Sequence, residues 1–233
     1  MRDSRLIDTV KEQDSSHLDT VKQRRQAPLM ADDDEPAEGR HRLLAAAGAE
    51  LAEAQAGPSQ VSLRAIARRA GLSHNAATHH FGDRAGLLTA LAVEGFRQLT
   101  AALQAAWTEA DARGQDVLLA LGTAYLDFGL AQPNLVELMF RPDLVRSADP
   151  ALQTAQTGAF GVLEDAAAQM PGRPPGLSAT DFALVAWSFV HGVLGLARHG
   201  ALDREAGPEP ERGTPVAYQV LRSFGALLGR PNT

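Results

Sequence analysis

Residues 61 to 88 read VSLRAIARRAGLSHNAATHHFGDRAGLL, and the placing of Ser, Gly and apolar residues there predicts two short helices joined by a three-residue turn. Ser62 stands where an N-cap hydroxyl can accept a hydrogen bond from a backbone N–H two or three residues on. Leu63, Ile66, Ala67 and Ala70 then share one helical stripe. Gly71 follows at once, and a glycine can take the left-handed conformation that closes a helix without a Cβ penalty. Ser73 offers a second N-cap. In the following HNAATHHF, Ala77 and Phe81 lie four apart and so face the first helix together, while the small Ala67 lets the two helices cross closely.

With that stripe inward, a step of 100° per residue aims Asn75 and His79 away from the core. Ala76 and His80 flank them, and His74 and Thr78 occupy the other shoulder. The second helix of such a pair is the one that enters the DNA major groove, with residues near its start at base edges. Asn suits a bidentate contact with adenine, and an Ala or Thr methyl suits the methyl of thymine. Arg64 and Arg84 are placed to meet phosphates, and a neutral His donates hydrogen bonds rather than neutralising charge. The candidate DNA contacts are therefore Arg64, Ser73, His74, Asn75, Ala76, Thr78, His79, His80 and Arg84.

The flanks extend the motif. Leu43, Leu44, Ala47 and Leu51 form the stripe of an earlier helix that ends before Gly57-Pro58, making a three-helix unit. The formal net charge of the chain is −6, but its distribution is uneven: −4 over residues 1 to 38, +3 over 39 to 88 and −5 over 89 to 233. A locally basic module on an acidic body can still displace counterions from phosphate.

From about Arg40 to Leu88 the chain resembles the tetracycline-repressor (TetR) family of bacterial transcriptional regulators: an amphipathic helix, VSLRAIARRAGLS, a helix ending in His-His-Phe, then Asp-Arg-x-x-Leu-Leu. The resemblance implies that the helix closing on His80 and Phe81 reads DNA and that Arg84 grips the backbone. Thr78 stands where the family usually carries Tyr, so a phosphate contact there would be shorter and lack a ring.

Length leaves room for a further helical domain with its own core. The chain has no Cys, which excludes disulfides and thiolate metal sites and fits a reducing cytoplasm. No apolar stretch reads as long enough to span a bilayer, and the N-terminus lacks a signal-peptide core. Residues 1 to 38 are polar, acidic and poor in aromatics, the composition of a disordered extension. They hold both lysines, Lys11 and Lys22, and a near-repeat, Asp8-Thr-Val-Lys and Asp19-Thr-Val-Lys; Met30 reads like an ordinary start.

Beyond Arg84 the pattern is helical almost throughout, and no strand pattern survives, giving an all-α chain. One long helix, with Leu87, Leu91, Phe96, Leu103 and Trp107 on its stripe, runs to about Arg113. Asp116 caps the next, to Ala131; Pro133 opens a short one through Phe140; Pro150 opens another, to Met170. Ser178 and Asp181 have the capping spacing for a helix to His199, and Thr214 with Pro215 begins the last, ending near Gly229. The domains are 1–38 as extension, 39–88 as DNA-binding unit and 89–229 as helical body.

The family resemblance implies that a small molecule enters a cavity among the central helices and that the last two helices pair with those of a second copy. Trp187, His191 and Gly192 resemble a Trp-x-x-x-His-Gly pattern of one C-terminal subgroup. Tyr125, Phe128, Met139, Phe140, Phe160, Phe182, Trp187 and His191 are candidate cavity residues, combining apolar walls with a few polar tips; ordinary core packing is the alternative for each. Gly192 and Gly195 would either admit a second subunit or relieve crowding within one. His74, His79 and His80 are scattered round their helix and do not form a metal-binding pair, and no nucleophile elbow, phosphate loop or paired carboxylates are placed for catalysis. The expectation is a non-enzymatic, cofactor-free, cytoplasmic regulator, most often a repressor in this family, that binds a palindromic duplex operator as a homodimer and is released by a small-molecule effector. A helical binding or scaffold protein without DNA activity is the competing reading.

Overall fold

A computed structural model of the chain describes residues 34–170, 173–202 and 214–228. Among these residues there are nine α-helices and no strand: α1 (Asp34–Glu53), α2 (Leu63–Arg69), α3 (His74–Phe81), α4 (Arg84–Ala112), α5 (Val117–Ala131), α6 (Pro133–Met139), α7 (Pro150–Gln169), α8 (Ala179–Arg198) and α9 (Thr214–Leu228). The fold is all-α, as the residue pattern predicts.

Most helix starts are set by short polar side chains that satisfy otherwise unpaired N–H groups. Ser62 Oγ accepts from Ala65 N and Ser73 Oγ from Ala76 N, both at 3.1 Å. Asp116 caps α5 through Leu119 N, and Ser178 caps α8 through Asp181 N. Asp83 and Asp149 cap α4 and α7 in the same way, and neither is among the expected caps. Between α2 and α3, Gly71 takes a φ of 67°, and Leu72 N closes on Ala67 O at 2.9 Å.

Three boundaries differ from expectation. Helix α1 already runs from Asp34, so residues 34 to 38, expected in the disordered extension, are helical; the rest of that extension lies outside the described residues. A 3₁₀ turn occupies Pro58–Gln60, where only a break was expected. Thr214 falls inside α9 rather than before it. The expected end of that helix near Gly229 and the AGPEPERG loop lie outside the described residues.

Helix α4, at 1.5 Å per residue about 44 Å long, is the axis of the molecule. Helix α3 packs against the start of α4, and α5, α6 and α7 pack along it; α8 covers α5 and α7, and α9 lies on α5 and α8. One apolar cluster runs from Leu43 and Phe81 through Leu88 and Phe96 to Leu194 and Leu221, with Ala167, Phe182 and Ala183 as a satellite. The expected boundary after residue 88 therefore falls inside a continuous helix and a continuous core.

Helix α8 corrects one expectation. It is 20 residues long, with Asp181, His191 and Arg198 its only ionisable side chains, and by length and composition it could cross a membrane. Burial accounts for part of its apolarity, through Phe182, Ala183, Val190, Val193 and Leu194, whereas Leu184, Val185 and Leu196 are exposed.

Candidate nucleic-acid interface and central cavity

Helix α3 is held by its buried face, Ala77 and Phe81, and by Arg40, whose guanidinium lies 5.3 Å from the Phe81 ring centroid in cation–π range. The opposite face is exposed among the described residues. Ser73, His74, Asn75, Thr78 and His79 are exposed, as is Arg64 on α2; Ala76, His80 and Arg84 are half-buried. Thr78 Oγ1 donates back to His74 O at 3.0 Å. His80 leans toward the start of α1, close enough that a Cβ on Gly39 would lie 3.1 Å from its Nε2.

Arg84 has a role that sequence reasoning missed. Its Nε donates to Val61 O at 2.6 Å and its Nη2 to Pro58 O and Ser59 O, fastening the start of α4 to the 3₁₀ turn. A phosphate contact from this side chain competes with three intramolecular hydrogen bonds. Two other arginines are similarly committed: Arg69 bridges Glu50 and Glu53 of α1, and Arg42 donates to Ala70 O at the end of α2. Arg64 and Arg68 remain exposed and, among the described residues, make no ion pair. Arg68 is absent from the expected contacts, though it lies one turn after Arg64 on the same face.

The helical body encloses a cavity of about 970 Å³ between α4, α5, α7, α8 and α9. Tyr125, Phe140, Phe160, Phe182 and Trp187 line it. Phe128 and Met139 do not, and their assignment is corrected: both are buried core residues, Met139 lying against α4 where a Cβ on Gly95 would come within 2.8 Å of its Sδ. His191 stands behind the wall, its Nδ1 2.7 Å from Tyr125 Oη, with Phe140 and Trp187 rings around it. Burial, helped by the charge of Arg198, holds its pKa below the ordinary histidine value, and burial pushes the Tyr125 phenol up to about 12. Trp107, Phe189 and Phe224 also line the cavity. The sequence marks Trp107 only as part of the α4 stripe, since periodicity identifies an inward face without saying whether core or void lies inside.

The short helix α6 touches both regions. At its start Asn134 Nδ2 donates to Leu51 O and Ala54 O, at 2.8 and 2.9 Å, capping the end of α1. Just past its end, Phe140 stands on the cavity wall. Between them Glu137 pairs with Arg141 and with Arg198 of α8.

Residues 43–91 match the family model described as bacterial regulatory proteins, tetR family, and residues 118–214 that of the tetracyclin repressor-like C-terminal domain. The chain belongs to the TetR family. These descriptions do not name the Trp-His-Gly subgroup. No curated protein sequence matches the chain. Among solved structures, the chain is similar to a protein of unknown function from Rhodococcus sp. RHA1, at 32% identity and TM-score 0.65, covering 87% of this chain and 97% of that one. It shares its fold with the TetR-family regulator PfmR of Thermus thermophilus (18% identity, TM-score 0.56, 80% and 96% covered) and with a TetR regulator of Rhodococcus sp. RHA1 (20%, 0.54, 85% and 100%). As a TetR-family chain it is a DNA-binding transcriptional regulator with a ligand-binding helical body.

Proposed function

We propose that this TetR-family protein is a cytoplasmic repressor, without catalytic activity, that binds a palindromic operator as a homodimer and releases it when a small molecule fills the cavity. Residues 39–88 form the reading head and 89–229 the sensing and dimerising body. The observation that carries this reading is the course of α4. Its first turn is anchored beside Phe81 through Arg84 and Asp83, and further along Phe96, Leu99, Leu103, Trp107 and Asp111 line the cavity. A ligand that favours one tilt of this helix changes the spacing of two reading heads, which must sit one DNA turn, about 34–36 Å, apart to bind. It acts only through its different affinity for the two arrangements.

Dimerisation is supported by an exposed stripe on α8, Val185, Ser188, Gly192 and Leu196, joined by Leu227 of α9. Among the described residues a Cβ added at Gly192 or Gly195 would meet nothing within 4 Å, which favours close approach by a second copy over relief of crowding within the subunit.

Footprinting over the gene's own upstream region tests the whole reading. Protection of a two-fold-symmetric site, lost on adding a ligand that occupies the cavity, is the expected result; protection of no site at all overturns it.

A further inference from the structure

The wall of the cavity is charged in one sense only. Among the described residues, none of its lining side chains is Lys, Arg or His, whereas Asp111 and Asp116 are both present. The exposed polar lining residues are Asp111, Gln115, Asp116, Thr157 and Gln169, with Gln156 half-buried, so both charged groups lie on the solvent-reaching part of the wall and the rest is mainly aromatic and aliphatic. Of the bases close to it in sequence, Arg113 pairs with Glu109 at 2.6 Å, Arg173 donates to Ala167 O in the last turn of α7 at 2.9 Å, and Arg97 and Arg222 are exposed and are not among the lining residues.

The two aspartates are not equivalent. Asp116 spends Oδ1 on Leu119 N as the cap of α5, which balances the positive end of that helix. Asp111 makes no ion pair among the described residues and lies in the last turn of α4, where the helix dipole adds partial negative charge; the end of α7 is instead capped by Arg173. At the inner end, the one buried hydroxyl is already engaged, Tyr125 Oη with His191 Nδ1. A ligand carboxylate or phosphate entering this space would leave water for a wall with no basic side chain among the described residues, a penalty that removes binding unless it is compensated. An ammonium finds Asp111 and the C-terminus of α4 at the rim, while its apolar body replaces water in the interior.

We propose that the effector is a lipophilic cation, an apolar body carrying an amine or quaternary ammonium whose charge rests at Asp111. This rests on the cavity being the effector site. Its test needs no knowledge of the natural ligand, because both tryptophans of the chain, Trp107 and Trp187, line the cavity and their emission reports its occupancy.

The full-length protein is titrated at neutral pH with decylamine, decanol and decanoate, each below its micellar concentration. These share one tail and differ in head charge. Decylammonium is expected to bind at least tenfold more tightly than decanoate, with decanol between. Asp111→Asn is expected to bring decylammonium within about twofold of decanol and to leave decanol unchanged. Decanoate binding as tightly as decylammonium, or a cation preference that survives Asp111→Asn, overturns the proposed ligand class while the cavity reading stands. A tryptophan signal that none of the three alkyl probes moves overturns both.

Discussion

Asn75 and His79 are exposed on the outward face of α3 and engage no other side chain in a hydrogen bond among the described residues. Replacing either with Ala is expected to cost about 1–3 kcal/mol of discrimination at one base pair while sparing salt-dependent binding to any duplex. Arg64→Ala is expected to do the reverse, weakening all sequences alike and lowering the salt slope by about 1. Competition gel shifts at several salt concentrations separate the two patterns. A pH effect belongs to His191. Its pKa is held below the ordinary 6.5, first by burial, so the unfolded chain binds its proton more readily than the folded one. The stability tied to neutral His191 is present above about pH 6.5 and is lost as pH falls below that value toward the lower folded-state one. Melting curves from pH 7.5 to 5 are expected to show this loss in the wild type and a shallower one in His191→Asn. Ser62 and Ser73 were legible in the sequence because a cap acts on residues two or three away. Arg84 was not, since its carbonyl partners lie 23 to 26 positions upstream, nor was the Tyr125–His191 pair, 66 apart.

Helix extents were the most legible feature, because period, cap and breaker are all local signals: α3, at His74–Phe81, ends where the HNAATHHF stretch ends, and α5 starts directly after Asp116. What short-range pattern cannot say is which helix end meets which. Asn134 near the start of α6 looks like a routine turn residue, yet it caps α1 from 80 and 83 positions away. Cavity membership was only partly legible for the same reason. Phe128 and Phe140 are equally good aromatics in sequence, and only the packing of α6 and α8 puts one in the core and the other on the wall. Asn134→Ala removes one of two donors from each of Leu51 O and Ala54 O, which keep their bonds from Ala54 N and Gly57 N, and is expected to cost about 1 kcal/mol. If α6 relays cavity occupancy to the head, this variant keeps its ligand-induced tryptophan change but needs more ligand to leave the operator. Parallel fluorescence and gel-shift titrations measure both; equal shifts of the two curves would remove α6 from the relay.

At the scale of the whole molecule the exposed α8 stripe governs assembly. Leu196 is half-exposed, at 50%, and Val185 at 51%, so a Glu at either position costs the isolated subunit little. Val185→Glu/Leu196→Glu is expected to halve the mass seen by light scattering and to weaken operator binding by at least a hundredfold, because each head alone makes half the phosphate contacts. Probe binding by the cavity persists in the same variant.

The apolar cluster that runs unbroken from Leu43 to Leu221 also bears on how the protein melts. With one continuous core, the described helices from Gly39 on are expected to melt in a single calorimetric peak, and a cavity ligand stabilises the unit by RT ln(1 + [L]/Kd), raising its melting point. Compound libraries can thus be ranked by thermal shift before any target promoter has been found.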